Sequence, residues 1–353
     1  MPRYFADSPE SLVPDALKGF AAAHADLVEH HPEHGYFRTR RTATPTPTTA
    51  GSAAAGRRVG LVSGGGSGHE PLHTGFLGAG LLDAVCPGQI FASPHNRQIF
   101  EASRAVAGSD GVLHIVKNYT GDRINFGIAA ERLAHEDIRC ARVLVDDDLA
   151  TDSADIAVGR RGTGATLIVE KILGAAADEG RGLDELAALG ADLSGRTRSL
   201  AVATAAHTAP GSGTPAFELP RDILEFGVGI HGERAGGTAP HPPLTELVAL
   251  MTDRLLAALP HAGLPGTAHG APGRRRVLAL VNGLGGVTSL ELYGVRHALG
   301  GALKNRGVTL DRSLTGTFVS ALDMRGFSLS LLATDDETLR LWDAPARTAS
   351  WPR

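Results

Sequence analysis

Three short segments hold residues that could do chemistry together. The first is Ser63-Gly-Gly-Gly-Ser-Gly-His-Glu-Pro71. Its four glycines expose backbone N–H groups and let a ligand approach within hydrogen-bonding distance. His69 places a titratable ring inside that loop. No Gly-Lys-Ser/Thr follows, so this is not a nucleotide P-loop. His69 also stands where the dinucleotide fingerprint has its third glycine. A plain strand-to-helix turn explains the spacing equally well. The second segment is Ile115-Val-Lys-Asn-Tyr-Thr-Gly-Asp-Arg-Ile-Asn-Phe126, with Lys117 at a predicted strand end and Asp122 near a predicted helix start. Asp122 could simply cap that helix. Ligands of open α/β sheets sit at such strand ends, however, and lysine is a marked choice in a chain whose 34 basic residues are four lysines and 30 arginines. The third is Glu225-Phe-Gly-Val-Gly-Ile-His-Gly-Glu233, which delivers His231 among Gly227, Gly229 and Gly232. Spacing alone does not separate a nucleophilic imidazole from a structural one.

Other groupings are less informative. Val281-Asn-Gly-Leu-Gly-Gly286 is either a turn or the wall of a site. Asp146-Asp-Asp148 reads as a solvated loop, because three adjacent carboxylates do not converge on one ion. His30, His31 and His34 lack cysteine or acidic partners at ligand spacing and read as surface residues. No metal site is expected.

The elements that must position these residues alternate. Strands are predicted at Arg58–Ser63, Gln89–Ala92, Val112–Lys117 and Ala141–Val145, with helices near Gln98–Val106 and Ile124–Ala134. That alternation argues for a parallel sheet with crossover helices. An amphipathic helix entered through Ser11 is expected over 11–27, and a long apolar one over Ala165–Ala177, followed by another near Asp184–Leu189. Beyond residue 199, strands are predicted at Ser199–Thr204, Glu225–His231, Val277–Val281, Thr315–Ser320 and Ser328–Leu332, with helices at Leu244–Leu259 and Ser289–Arg306. The fold class is α/β, as two α/β domains with mainly parallel or mixed sheets, residues 1–190 and 191–353. Arg38–Arg58 reads as a mobile surface loop.

The 353 residues, 42% apolar and 20% charged, suit a globular protein, and a net charge of −4 gives no basic surplus for nucleic acid. Apolar runs are too short for a membrane span. Met1–Pro14 has no apolar signal core, and Cys86 and Cys140 have neither redox nor zinc spacing. A reduced, cytoplasmic setting is expected.

Taken in order, Ser63–Pro71, Cys86-Pro-Gly88, Ser93-Pro-His-Asn-Arg-Gln98, Ile115–Phe126, Gly159-Arg-Arg-Gly162, Gly227–Glu233, Val281–Gly286 and Leu322-Asp-Met-Arg-Gly-Phe-Ser328 resemble the dihydroxyacetone kinase K-type domain. The resemblance covers nearly the whole chain and is densest from residue 58. It implies two α/β domains, usually in a homodimer. It implies that a nitrogen of His231 adds to the C2 carbonyl of a short ketose and holds it as a hemiaminal. It implies that Gly66, Ser67, Gly68 and His69 cradle the substrate, with His69 helping to polarise it. Lys117 binds substrate in this reading, and Asp122 acts as general base toward the terminal hydroxyl. Nothing resembles the nucleotide-binding L domain, so no cofactor is expected on this chain. Mg-nucleotide is expected on a separate L-type subunit, recharged by ATP or by a phosphocarrier protein. Three departures stand out. Gly35–Arg58 diverges, His207 stands where a cysteine is expected, and Arg234 where a proline is expected. These could shift the substrate to a larger ketose such as erythrulose, or alter the partner surface. A non-catalytic ketose-sensing co-regulator is the rival reading.

Overall fold

A computed structural model describes residues 4–40, 57–152, 159–235, 237–260 and 275–352. Helix α1 (Pro9–Ala23) starts earlier than the sequence pattern suggests. Ser8, not Ser11, is its cap, and the two serines close a reciprocal capping box at 3.2 Å each way. The hairpin β1 (Val28–His31) and β2 (Tyr36–Thr39) was not anticipated. It holds His30 stacked on Phe37 at 4.2 Å and His31 on Tyr36 at 4.6 Å, so these rings pack on a sheet rather than sit loose on the surface. Most of the expected 38–58 loop lies outside the described residues.

The first sheet continues with β3 (Gly60–Ser67), the two-residue β4 (Gly78–Ala79) set apart, β5 (Ala84–Ile90), helix α2 (Asn96–Val106), β6 (Val112–Lys117), helix α3 (Thr120–Ala134) and β7 (Cys140–Val145). Its order is β1-β2-β5-β3-β6-β7. Strand β3 is paired in parallel with β5 on one side and β6 on the other. The chain therefore leaves β3 toward one side and later returns on the other, which opens a crevice at the carboxyl end of β3. The glycine run is the end of that strand, not a turn after it. Gly64 pairs with Cys86 and Gly65 with Pro87.

Helix α4 (Ala165–Asp178) and helix α5 (Leu183–Gly195) separate this sheet from a second one. Every residue of α4 from Ala165 to Ala177 is buried. The largest core cluster joins Leu61, Leu113 and Ile115 of the first sheet, Leu167, Ile168 and Ile172 of α4, and Leu278, Leu280 and Leu332 of the second sheet. Burying each such side chain contributes about 1.5–3 kcal/mol, so α4 is the shared inner layer. Asp147 fixes its entry by accepting from Thr163 N (2.7 Å), Thr163 Oγ1 (2.7 Å) and Ala165 N (3.0 Å).

The second sheet contains β8 (Thr197–Ala205), β9 (Ile223–Phe226), β10 (Thr238–Pro240), β11 (Arg276–Gly283), β12 (Thr309–Gly316) and β13 (Arg325–Ala333), ordered β10-β9-β8-β13-β11-β12. Only β11 and β12 are parallel. Helices α6 (Leu244–Ala258) and α7 (Ser289–Asn305) cover its outer face. Helix α8 (Asp336–Asp343) and β14 (Arg347–Thr348) end the chain, and β14 pairs back onto β4. The fold is thus mixed α/β, with a largely parallel and a largely antiparallel sheet. Three predicted strands are displaced, since β5 ends at Ile90, β9 at Phe226 and β12 at Gly316.

Candidate active site

The crevice at the end of β3 is narrow because other groups pass close to its glycines. A Cβ on Gly65 would lie 2.1 Å from Lys117 Nζ, and one on Gly66 would lie 2.7 Å from both Phe91 Cα and Ala92 N. Gly68 adopts φ +99°, a conformation that favours glycine. Side chains and backbone from three directions then pin the loop. Ser67 Oγ donates to Gly88 O at 2.7 Å, and Gly68 N–H donates to the Glu70 carboxylate at 2.8 Å. Gly68 O accepts from Leu322 N at 2.8 Å and Ser320 Oγ at 3.0 Å.

His69 is fully buried, and its Nδ1 lies 2.8 Å from Ser320 O. A carbonyl only accepts, so Nδ1 carries the proton and Nε2 presents a lone pair. Burial first, then the charges of His231 and Lys117, hold this imidazole well below its ordinary titration range. Nε2 is buried and has no hydrogen-bond partner among the described residues. In this neutral tautomer it can accept a hydrogen bond or a proton but cannot donate.

His231 does not sit on a strand. After β9 ends, Gly227 (φ +80°) and Gly232 (φ +83°) fold residues 227–233 into a tight loop, closed by Gly229 N–H to Glu233 O at 2.8 Å. Arg161 clamps this loop by donating to Gly227 O at 3.0 Å and Glu233 O at 3.3 Å. Its Nε donates to Asp148 at 2.8 Å. The His231 ring turns Nδ1 toward Glu233 Oε1 at 2.9 Å, and the ring stays partly exposed at 19%. Burial pushes the Glu233 carboxyl up, but the His231 hydrogen bond and charge and the Arg161 guanidinium outweigh it and hold the group at about 2. Burial, opposed by Arg161, pushes the Asp148 carboxyl up to about 6.

The rings converge. The His231 centroid lies 4.8 Å from His69, 4.5 Å from Tyr119 and 5.2 Å from Phe91. Phe91, at φ +53°, also lies 5.1 Å from His69 and 4.9 Å from His207. Lys117 is buried at the end of β6, with Nζ 2.9 Å from His73 Nε2. Burial lowers its titration, while the nearby carboxylates of Asp122 and Glu170 pull it back up. Asp122 is buried in the first turn of α3, and Tyr119 is that helix's N-cap. Asp122 Oδ1 accepts no hydrogen bond among the described residues, so a capping role does not account for it.

Sequence reasoning missed Glu233, Arg161, Asp148, Phe91 and His73. Arg161 and Glu233 lie within quoted motifs, yet nothing in the spacing tied either to His231. The solvated reading of Asp146–Asp148 is corrected. Asp147 and Asp148 are buried and Asp146 is half-buried, and each takes its own partner. The two departures are also placed. Arg234 donates to the buried Glu225 at 2.7 Å, and His207 packs edge-on to Phe91. No group of three His, Cys, Asp or Glu among the described residues could hold a metal ion. No described helix is long and apolar enough to cross a membrane.

Residues 18–350 match the model of the Dak1 domain. The chain is 40% identical to the dihydroxyacetone-binding subunit of the PEP-dependent dihydroxyacetone kinase of Escherichia coli K12, covering 96% of each chain. The dihydroxyacetone kinase of C. freundii superposes with a TM-score of 0.85 at 32% identity, over 100% of this chain and 60% of that one. A dihydroxyacetone kinase operon co-activator superposes with a TM-score of 0.84 at 28% identity, over 96% of this chain and 97% of that one.

Proposed function

The chain belongs to the Dak1 domain family, and from that premise we propose that it holds a short ketose covalently on His231 while a separate L-type subunit delivers the phosphate. As a family member it is a phosphotransferase component with an alcohol group as acceptor, of the substrate-binding type. The observation that carries the finer reading is the pairing of His231 Nδ1 with Glu233 at 2.9 Å. With Nδ1–H donating to a carboxylate, Nε2 is left as the nucleophilic lone pair. That lone pair forms a bond to C2 of dihydroxyacetone. The carbonyl π pair moves to oxygen, which takes up a proton from solvent, and the ring's positive charge faces Glu233. A three-carbon ketone offers few atoms to grip, so a reversible bond supplies the orientation that transfer requires. Glycerol, lacking a carbonyl, is rejected.

His69 Nε2 and Lys117 Nζ supply an acceptor and a donor for the substrate oxygens beside the Gly66–Gly68 edge. Asp122, its oxygen unused, takes the hydrogen bond of the terminal hydroxyl and receives its proton as the oxygen attacks phosphorus. Mg-nucleotide belongs to the L-type partner, which ATP or a phosphocarrier protein recharges. The working unit is a cytoplasmic homodimer of this chain with that partner. The test is carbon-13 NMR with dihydroxyacetone labelled at C2. The carbonyl signal should move into the tetrahedral range with the native chain and stay in place with His231→Ala. A bound but unshifted carbonyl excludes the adduct.

Similarity to the operon co-activator favours one second reading, a ketose-sensing co-regulator. A sensor needs only the tether, so His69 and the unpartnered Asp122 support the enzyme. Erythrulose remains the alternative substrate within the enzyme reading.

A further inference from the structure

Beneath the glycine edge lies a chain of buried polar groups that meets the substrate only through Lys117. Lys117 Nζ lies 2.9 Å from His73 Nε2, and His73 Nδ1 lies 2.6 Å from Glu170 Oε1. Ser63 Oγ lies 3.0 Å from the same Nδ1 and donates to Ile115 O at 2.8 Å. The His73 and Glu170 side chains are 2% and 0% exposed. An ammonium only donates, so His73 Nε2 must accept, and the ring proton stays on Nδ1 and points at Glu170. The groups come from three elements. Lys117 ends β6, Glu170 lies mid-way along α4, and His73 follows the glycine segment. A buried lysine, imidazole and carboxylate are costly to keep in a core unless each is satisfied. Here burial lifts the Glu170 carboxyl to about 8 against the pull of Ser63 and Lys117.

We propose that His73 and Glu170 are positioning residues that aim the Lys117 ammonium at the bound ketose, acting on binding only through Lys117. The inference rests on the reading that Lys117 contacts the ketose. Three fixed points define the aim. Gly65 leaves room for Nζ, His73 takes one of its three hydrogens, and Glu170 locks the tautomer that makes His73 an acceptor. The other two hydrogens are then directed without a search through lysine rotamers.

The experiment is a double-mutant cycle on the full chain, read by calorimetric binding of dihydroxyacetone. His73→Leu should weaken binding about ten-fold or more, and His73→Gln, which can still accept from Lys117 and donate to Glu170, should stay within about three-fold of native. In a Lys117→Met background, His73→Leu should add less than about two-fold. If it adds its full factor there, or if it leaves native binding unchanged, the proposal fails. Should His73→Leu not melt cooperatively, Glu170→Leu, which cannot accept from His73 Nδ1, carries the same cycle. If the native chain does not bind dihydroxyacetone at all, the ketose reading fails instead. The positioning contact is then judged on nitrogen-15-labelled histidine alone, where Lys117→Met must move the His73 Nε2 resonance. An unmoved resonance overturns it.

Discussion

One carboxylate holds His231 twice. Glu233 Oε1 faces its Nδ1 at 2.9 Å, and Glu233 Oε2 accepts its backbone N–H at 3.0 Å. Ring tautomer and loop conformation are therefore set by the same group. Glu233→Ala should weaken ketone binding by roughly 10–100-fold, the worth of a charge-assisted hydrogen bond. Glu233→Gln, which still accepts at Nδ1, should lose less. Calorimetric titration of both variants checks this, and equal losses would show that acceptance at Nδ1 is not what matters.

Asp122→Asn should leave ketone binding within a few-fold of native. With an L-type partner present, turnover should fall by roughly 10²–10⁴, the range of general acid–base assistance. Because Tyr119 is the N-cap of α3, the melting temperature should change little. Undiminished turnover would return Asp122 to a structural part.

Phosphoryl transfer needs neutralising metal or cationic groups at the moment of reaction. The proposed division of labour puts these on the partner. The purified chain should show no turnover with ATP, magnesium and dihydroxyacetone, and turnover should appear when an L-type subunit is added. A coupled assay reads this, and robust activity of the chain alone would sink the two-component scheme.

Gly65→Ala should separate binding from stability. The inserted carbon meets Lys117 Nζ at 2.1 Å. That atom is the far end of a flexible side chain, so the fold can relax while the ammonium cannot keep its place. Ketone affinity should fall about ten-fold or more, while thermal melting shifts only by the degrees expected for about 1 kcal/mol of overpacking. A large melting loss with intact affinity would contradict this placement of Lys117.

His114, buried beside Ser103 Oγ at 2.8 Å, offers a pH test away from the site. Burial, aided by the Arg142 charge, lowers its titration to about 3. The unfolded chain takes up a proton near pH 6.5, where the folded chain does not. Stability tied to this group is therefore complete above about pH 6.5 and is lost as the pH falls toward 3, up to about 5 kcal/mol. His114→Gln should flatten that acid limb in urea titrations between pH 7 and 4. Parallel pH profiles would refute it.

Much of the scaffold was legible because its signals are local. Val112–Lys117 is an unbroken buried strand whose end was read correctly, and the apolar run Ala165–Ala177 is a helix buried all round. Failures came where tertiary pairing overrides residue type. Thr309–Gly316 joins the sheet as the parallel neighbour of β11, although its own pattern is polar. Ile223–Phe226 ends early because two glycines turn the chain toward Arg161. In the site, the glycine edge, Lys117, His69 and His231 stood out as candidates by type and position, and the ordered resemblance rather than spacing gave them roles. The partners that fix their protonation did not stand out: Ser320 and Glu170 are distant in sequence from His69 and Lys117, and Glu233, although two residues from His231, carries no spacing signal that ties it to the ring. Periodicity cannot report a hydrogen bond between residues 69 and 320.

The shared helix α4 has a consequence for how such a chain can be rearranged. It feeds apolar side chains to both sheets while lending Glu170 to the polar chemistry of the first. A chimera that takes one half from a relative therefore inherits a helix shaped for a different neighbour. Exchanging either sheet requires re-matching one face of α4, and replacing α4 itself alters the lysine beneath the glycine edge. The two halves share one packed layer, so recombination points are expected in the outer hairpin and the covering helices rather than within α4.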